Sequence, residues 1–109
     1  MSVADLGRPS FTSGNWMVTE GNEEAFVESW NLVAAWCLEH ARGARSFHLI
    51  RDVANPRHFV SFGEWDELDD ITVSRASPQF LRLFRKAQSL CDTFSGSDYE
   101  VALAAVAGE

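Results

Sequence analysis

Histidine and cysteine side chains are the first candidates for chemistry in this chain. The three histidines, His40, His48 and His58, lack the H-x-x-x-H or H-E-x-x-H spacing that brings two imidazoles to one metal ion. The two cysteines, Cys37 and Cys91, form no C-x-x-C pair, and each falls on an apolar stripe of a predicted helix. We therefore expect no metal site, and we expect two reduced thiols that pack as small hydrophobic side chains.

Length and charge restrict the classes of partner. A chain of 109 residues is the size of one domain. Its net charge of −7 opposes binding to nucleic acid and to anionic membrane surfaces, both of which attract lysine and arginine. No apolar run approaches the roughly 20 residues that span a bilayer, and the N-terminus lacks a basic-then-apolar signal pattern. We expect a cytoplasmic protein without nucleic-acid or membrane partners.

The first part of the chain predicts one helix between strands. Residues 13–20 form a short extended run, and residues 23–41 carry apolar side chains at steps of three and four, which is typical of an amphipathic helix. Residues 46–53 and 58–65 mix β-forming residues around an Asn-Pro turn, which predicts an antiparallel hairpin. The apolar positions of the predicted helix are Phe26, Trp30, Val33, Cys37 and Ala41.

The second part predicts two more helices and a final strand. A short helix is expected around residues 68–76, and Ser77-Pro78 suits the start of a longer helix that runs to about Thr93. Residues 95–97 (SGS) predict a turn, and residues 98–106 predict the last strand. The apolar stripe of the longer helix comprises Phe80, Phe84, Ala87, Cys91 and Phe94.

These elements predict an α+β fold of the ferredoxin-like split β-α-β-β-α-β type, with a four-stranded antiparallel sheet. Residues 1–12 are expected to form a flexible arm, and residues 13–107 a single domain. Two long helices cover one sheet face and leave apolar residues on the other, which would be a large exposed patch. We therefore expect a homodimer that joins two sheets, as in a dimeric α+β barrel, with residues 99–106 contributing to the interface.

Three motifs resemble the antibiotic biosynthesis monooxygenase (ABM) family. They are Asn55-Pro-Arg-x-Phe-x-x-Phe-x-x-Trp65, Ala76-Ser-Pro-x-Phe80 and the helix entry Gly21-Asn-Glu-Glu-x-Phe26. The resemblance extends from about Trp16 to Val106. It implies a dimeric α+β barrel and an activity without cofactor, in which molecular oxygen reacts with a small aromatic substrate such as a phenol, a quinol or a polyketide-like compound.

The resemblance also implies where the substrate binds. The tryptophan that ends the strand lines a pocket in active members of the family, and that role falls on Trp65. Ser61 shares its strand face and is small, so it leaves room for a ligand. Phe80 and Phe84 of the following helix are expected to bound the same cavity.

A cofactor-free oxygenase needs a group that assists deprotonation and a group that stabilises the resulting anion. His48 is the candidate base, because histidine is the side chain that titrates near neutral pH. Arg75 is the candidate cation for the anion, and Asn15 is a candidate amide donor because the family often places a functional asparagine on this strand. The structural alternatives are a strand histidine that only packs and a solvated helix arginine.

Two other functions stay open. If Trp65 only packs in the core, the protein is a non-catalytic dimeric module of the same fold that binds small molecules. Haem-degrading relatives carry an iron-ligating histidine on the helix after the tryptophan. Residues 71–77 (ITVSRAS) contain none, and Arg75 falls near the expected position. The sequence therefore speaks against haem degradation.

Overall fold

The computed structural model describes residues 9–108 of the chain. The element order β-α-β-β-α-α-β matches the predicted ferredoxin-like α+β arrangement, with one additional short helix that was also expected from the sequence. The elements are β1 Ser10–Val18, α1 Glu23–His40, β2 Ala44–Arg51, β3 His58–Trp65, α2 Leu68–Arg75, α3 Pro78–Gln88 and β4 Cys91–Glu100.

The four strands form one antiparallel sheet in the order β2-β3-β1-β4. The first strand in the chain is therefore central, and it pairs with β3 on one side and with β4 on the other. The helices cover one face of the sheet. Because side chains alternate along a strand, Trp16 and Phe59 lie buried under the helices, whereas their neighbours Asn15 and Val60 point to the opposite face.

Helix α1 buries the predicted apolar stripe against the sheet. Phe26, Val33 and Cys37 are almost fully buried, and Glu23 and Glu24 lie in the first turn, where the helix dipole favours anions. Asn22 precedes the helix, as expected for an N-cap, but its side chain makes no capping hydrogen bond. Within the described residues, no helix is long and apolar enough to cross a membrane.

A buried carboxylate fixes the start of α2. Asp70 is 3% exposed, and its Oδ1 accepts a hydrogen bond from Arg42 Nε at 2.7 Å. Gly43 has a φ of +82°, and a Cβ at this position would lie 1.9 Å from Asp70 Oδ2. The position therefore requires glycine both for its backbone conformation and for space.

The C-terminal part of the prediction is wrong. Helix α3 ends at Gln88 rather than near Thr93, and β4 already begins at Cys91. The predicted turn at residues 95–97 lies inside this strand, and residues 101–106 lie beyond it. The reason is that Cys91 and Phe94 fit a helical spacing, while pairing with the central strand imposes the extended conformation.

The N-terminal boundary also differs from the expectation. The first strand was predicted at residues 13–20 and is found at Ser10–Val18. Most of the predicted arm, residues 1–8, lies outside the described residues. Residues 10–12 belong to β1 because they pair with both neighbouring strands.

Candidate active site

A cavity of about 450 Å³ lies between the helices and the sheet. Its volume falls in the range of small-molecule sites, roughly 300–1,000 Å³. Two buried clusters border it: one contains Trp16 and Trp30, and the other contains Val33, Trp65 and Ile71. The cavity is therefore bounded by well-packed core on both sides.

The sheet supplies the floor of the cavity, and small residues form it. Two rows of directly opposed residues cross β3, β1 and β4 on the helix-covered face. The rows are Gly63–Thr12–Asp98 and Ser61–Gly14–Gly96. None of these six positions therefore carries a large apolar side chain. The space above them contains the cavity and the aromatic rings that lie over the glycines.

Trp65 is both a core residue and a wall of the cavity. It is 2% exposed and packs edge-on against Phe47, with ring centroids 5.6 Å apart. Its indole Nε1 donates a hydrogen bond to Thr12 Oγ1 at 3.2 Å. The same residue lines the cavity. Packing and pocket lining are therefore not alternatives here, because the buried ring belongs to the core and also borders the cavity.

Trp16 forms the opposite wall, a position that sequence reasoning did not assign to the site. It is fully buried, and its Nε1 donates a hydrogen bond to Ser61 Oγ at 3.0 Å. A Cβ on Gly14 would lie 2.6 Å from that nitrogen and 2.7 Å from that oxygen. Gly14 therefore leaves the space in which the indole and the hydroxyl meet.

Helix α3 forms the roof. Phe80 and Phe84 stack on each other with centroids 5.3 Å apart, and both line the cavity. Phe84 also packs against Trp16 at 5.3 Å and edge-on against Phe94 of β4 at 5.4 Å. The roof is thus continuous with the aromatic wall, and a flat aromatic ligand would meet rings on several sides.

The main polar feature of the cavity is an ion pair between α2 and β4. Arg75 Nη1 donates to Asp98 Oδ2 at 2.7 Å, and Arg75 Nη2 donates to Asp98 Oδ1 at 2.5 Å. The arrangement is the two-pronged geometry that guanidinium and carboxylate groups favour. Both residues line the cavity, and their side chains are 49% and 34% exposed, which places them at its open side.

His48 and Asn15 do not line the cavity, so the structure does not bring them together with Trp65. His48 is exposed and lies opposite Phe62 on the uncovered sheet face. Asn15 lies on the same uncovered face, where its Oδ1 is 2.6 Å from His58 Nε2. Strand alternation is the cause, because Phe47 and Trp16, the neighbours of these residues, point towards the helices.

His58 connects Asn15 to a second polar residue on the uncovered face. Its Nδ1 is 3.0 Å from Asp52 Oδ2. The hydrogen bond from His58 is the main reason that the pKa of Asp52 is lowered, and the backbone N–H of Ala54 adds to the effect. This chain of side chains lies apart from the cavity.

Titratable groups in the cavity are few. Burial raises the pKa of the Cys37 thiol to about 12, so this thiol stays protonated at neutral pH. The remaining charged lining residues among those described are Arg75, Arg85 and Asp98. Sequence reasoning missed Asp98 because it placed this residue at the start of the last strand. The alternation of Phe94, Gly96 and Asp98 is the signal that could have placed it over the cavity.

No group of three His, Cys, Asp or Glu side chains within residues 9–108 is close enough to hold a metal ion. The cavity lining consists instead of aromatic and aliphatic residues with a few hydroxyl, amide and charged groups. This composition suits a small, largely apolar organic ligand that is oriented by a small number of polar contacts.

Solved structures with the same fold support this interpretation of the architecture. A variant of SnoaB, a cofactor-independent oxygenase from Streptomyces nogalater, superposes with a TM-score of 0.82 at 17% identity, covering 90% of this chain and 97% of that chain. A protein from Nitrosomonas europaea assigned to the antibiotic biosynthesis monooxygenases gives a TM-score of 0.77 at 16% identity, covering 88% and 92%. A conserved protein from Methanosarcina mazei gives 0.78 at 13%, covering 90% and 97%.

The sequence itself gives the family. No curated protein matches the chain. The model of the family described as "Antibiotic biosynthesis monooxygenase" matches residues 12–86, which run from the floor of the cavity at Thr12 into the roof helix α3. The chain therefore belongs to the antibiotic biosynthesis monooxygenase family.

Proposed function

We propose that this protein is a cofactor-independent monooxygenase that oxidises a small aromatic substrate, a phenol, a quinol or a polyketide-like compound, inside the cavity. The observation that carries the proposal is the enclosure of about 450 Å³ by aromatic rings over a floor of small residues. Family membership supports the same reaction class. The likeness to SnoaB supports the fold on which such a reaction can occur.

The proposed chemistry uses the electrons of the substrate. A methylene group beside a hydroxylated ring reacts with O₂ to give a ketone and water, so one oxygen atom enters the product and the other leaves as water. The protein must hold the ring, exclude bulk water and stabilise the anion that forms before oxygen adds. In this cavity the rings of Trp16, Trp65 and Phe84 surround the substrate, and Arg75, which is paired with Asp98, lies at its open side.

The second candidate is a non-catalytic module of the same fold that binds a small hydrophobic ligand. One observation favours it: His48, the expected base, is exposed and lies opposite Phe62 on the uncovered sheet face. The Cys37 thiol cannot replace it, since its raised pKa of about 12 keeps it protonated. This candidate uses the same cavity but needs no proton transfer.

Oxygen consumption separates the two candidates. We expect the purified protein to accelerate O₂ uptake by anthrones or quinols above the rate without protein, and labelled O₂ to deliver one oxygen atom to the ketone formed from an anthrone. A Leu81→Trp variant, which adds bulk to the cavity lining, should lose the acceleration. Leu38→Trp on the exposed face of α1 is the matched control. Ligand binding without any acceleration across the panel would favour the binding module.

The active form is proposed to be a homodimer built on the uncovered sheet face. Large apolar side chains on this face are exposed, including Ile50 at 50% and Tyr99 at 54%. A second copy of the chain would bury them, since in a two-fold symmetric dimer the same face of each copy contacts the other. The apolar residues concerned are Phe11, Met17, Ile50, Val60, Phe62 and Tyr99.

A further inference from the structure

We propose that the Arg75–Asp98 ion pair is the element that recognises a hydroxyl group on the aromatic ligand. The inference rests on the proposed function, since it concerns the ligand of the same cavity, and it adds the polar group that this ligand must carry. The Asp98 carboxylate accepts a hydrogen bond from the ligand hydroxyl group, and the Arg75 guanidinium donates a hydrogen bond to the hydroxyl oxygen. No proton is transferred in this recognition.

The pair has unused hydrogen-bonding capacity of both kinds. A carboxylate offers about four acceptor positions and a guanidinium five N–H donors. Two of each are used in the two bonds between Arg75 and Asp98. The remaining acceptor and donor positions lie next to each other at the open side of the cavity, where the two side chains are 34% and 49% exposed. A group that both donates and accepts fits this arrangement.

Two of the other hydroxyl groups of the cavity are already engaged within the protein. Thr12 Oγ1 accepts from Trp65 and donates to the carbonyl of Gly63 at 3.4 Å. Ser74 Oγ donates to the carbonyl of Asp70 at 2.9 Å. These groups hold the cavity in shape and are not free to select a ligand.

The charges of the pair disfavour a charged ligand group placed directly beside it. A ligand carboxylate beside Arg75 would also face the like charge of Asp98, and a ligand ammonium beside Asp98 would face Arg75. Arg85, which also lines the cavity, is a donor only. An aromatic ligand without a polar group would form no hydrogen bond with the pair, whose exposed atoms would contact only water. A neutral phenolic hydroxyl is the group that both partners favour.

The test measures binding and requires no turnover. The probes are 2-naphthol and 2-fluoronaphthalene, which are similar in shape but differ in their ability to donate a hydrogen bond, and equilibrium dialysis gives both dissociation constants. A hydrogen bond to a charged group corresponds to roughly a ten- to hundred-fold change in an equilibrium constant. We expect Asp98→Ala to weaken 2-naphthol binding about tenfold or more and to leave 2-fluoronaphthalene binding within about twofold.

Asp92→Ala is the matched control. Asp92 lies on the same strand and also pairs with an arginine, Arg57, but neither residue lines the cavity. We expect this variant to bind both probes as the unchanged protein does. Arg75→Gln should weaken 2-naphthol selectively, as Asp98→Ala does. Because 2-fluoronaphthalene reports on the cavity itself, its unchanged binding shows that each variant is folded.

The result that overturns the inference is a parallel change, or no change, for the two probes in Asp98→Ala. The outcome is independent of catalysis. Selective loss of 2-naphthol binding in a protein that consumes no oxygen would support hydroxyl recognition and contradict the monooxygenase. Oxygen consumption together with equal effects on both probes would support the monooxygenase and contradict hydroxyl recognition.

Discussion

The indole of Trp16 donates a hydrogen bond to the hydroxyl of Ser61 at 3.0 Å across the β1–β3 pair, and both groups are buried. This contact joins the aromatic wall of the cavity to its floor. It also satisfies the N–H group of a fully buried tryptophan, which would otherwise be an unpaired donor in an apolar core.

Replacing Ser61 by alanine should therefore destabilise the protein. The substitution leaves Trp16 Nε1 without its partner, and an unsatisfied buried donor costs about 1–3 kcal/mol. Urea denaturation followed by far-UV circular dichroism measures the change. Ser95→Ala on exposed β4 should change the free energy of unfolding by no more than about 0.5 kcal/mol. Equal stabilities of the two variants would show that the Trp16–Ser61 bond contributes nothing.

Two phenylalanines should differ in the cost of truncation. Phe26 is fully buried between Trp16 and Phe59, so Phe26→Ala should cost about 3–5 kcal/mol. Phe84 is half-buried and borders the cavity, so fewer contacts are lost and Phe84→Ala should cost clearly less. Thermal and urea denaturation of both variants tests the order. A larger loss in Phe84→Ala than in Phe26→Ala would contradict this order.

The two thiols should react slowly in the native state. Burial raises the pKa of Cys37 to about 12, and burial together with Asp92 raises that of Cys91 to about 11, so little thiolate exists at neutral pH. Reaction with a chromogenic disulfide at pH 7.5 should be slow and should become rapid in urea. Rapid native reaction of both thiols would contradict the burial of Cys37 and the partial burial of Cys91.

The raised pKa of Cys37 also predicts alkaline instability. The folded protein keeps the thiol protonated, whereas the unfolded chain ionises it from its ordinary value of 9.0. The contribution to stability is therefore fully present below pH 9 and is lost as the pH rises towards 12. Urea midpoints between pH 8 and about 10.5 should fall more steeply for the unchanged protein than for Cys37→Ala. Superimposable pH dependences would contradict this prediction.

Dimerisation through the uncovered face predicts a mass of about twice 12.2 kDa by light scattering at micromolar concentration. Ile50→Glu places a charge on this face and should shift the protein towards the monomer, since an unpaired charge in an apolar interface is costly. Leu32→Glu, on an exposed position of α1, is the control and should leave the mass unchanged. A monomeric mass for the unchanged protein would contradict the proposed dimer.

The elements that the sequence predicts well are those in which the apolar residues repeat with a single period. Helix α1 carries its apolar residues at steps of three and four, and β3 alternates over its whole length, so both were placed to within a residue. Between Phe84 and Asp98 the sequence fits two periods. Cys91 and Phe94 continue the helical stripe, whereas Phe94, Gly96 and Asp98 alternate as in a strand. Pairing with β1 decides between them, and local pattern cannot show it.

The residues of the candidate site also divide into those on elements with a clear period and those without such a signal. Trp65, Ser61, Phe80 and Phe84 lie on elements with clear periods, and the structure places them around one cavity. The polar residues were harder to predict because each needs the correct face of a strand. Alternation turns His48 away from the helices, and the misplaced last strand concealed Asp98.

The central position of β1 has a consequence for how the protein folds. Ser10 pairs with Glu100, so the middle of the sheet is completed only when nearly the whole chain is available. Contacts of such large sequence separation slow folding, because loop closure must precede the interactions that reward it. During synthesis, α1 and the β2–β3 hairpin can form early, but one edge of β1 stays open until β4 emerges. Strand β4 also brings Asp98, so the cavity acquires its ion pair in the same step that completes the sheet.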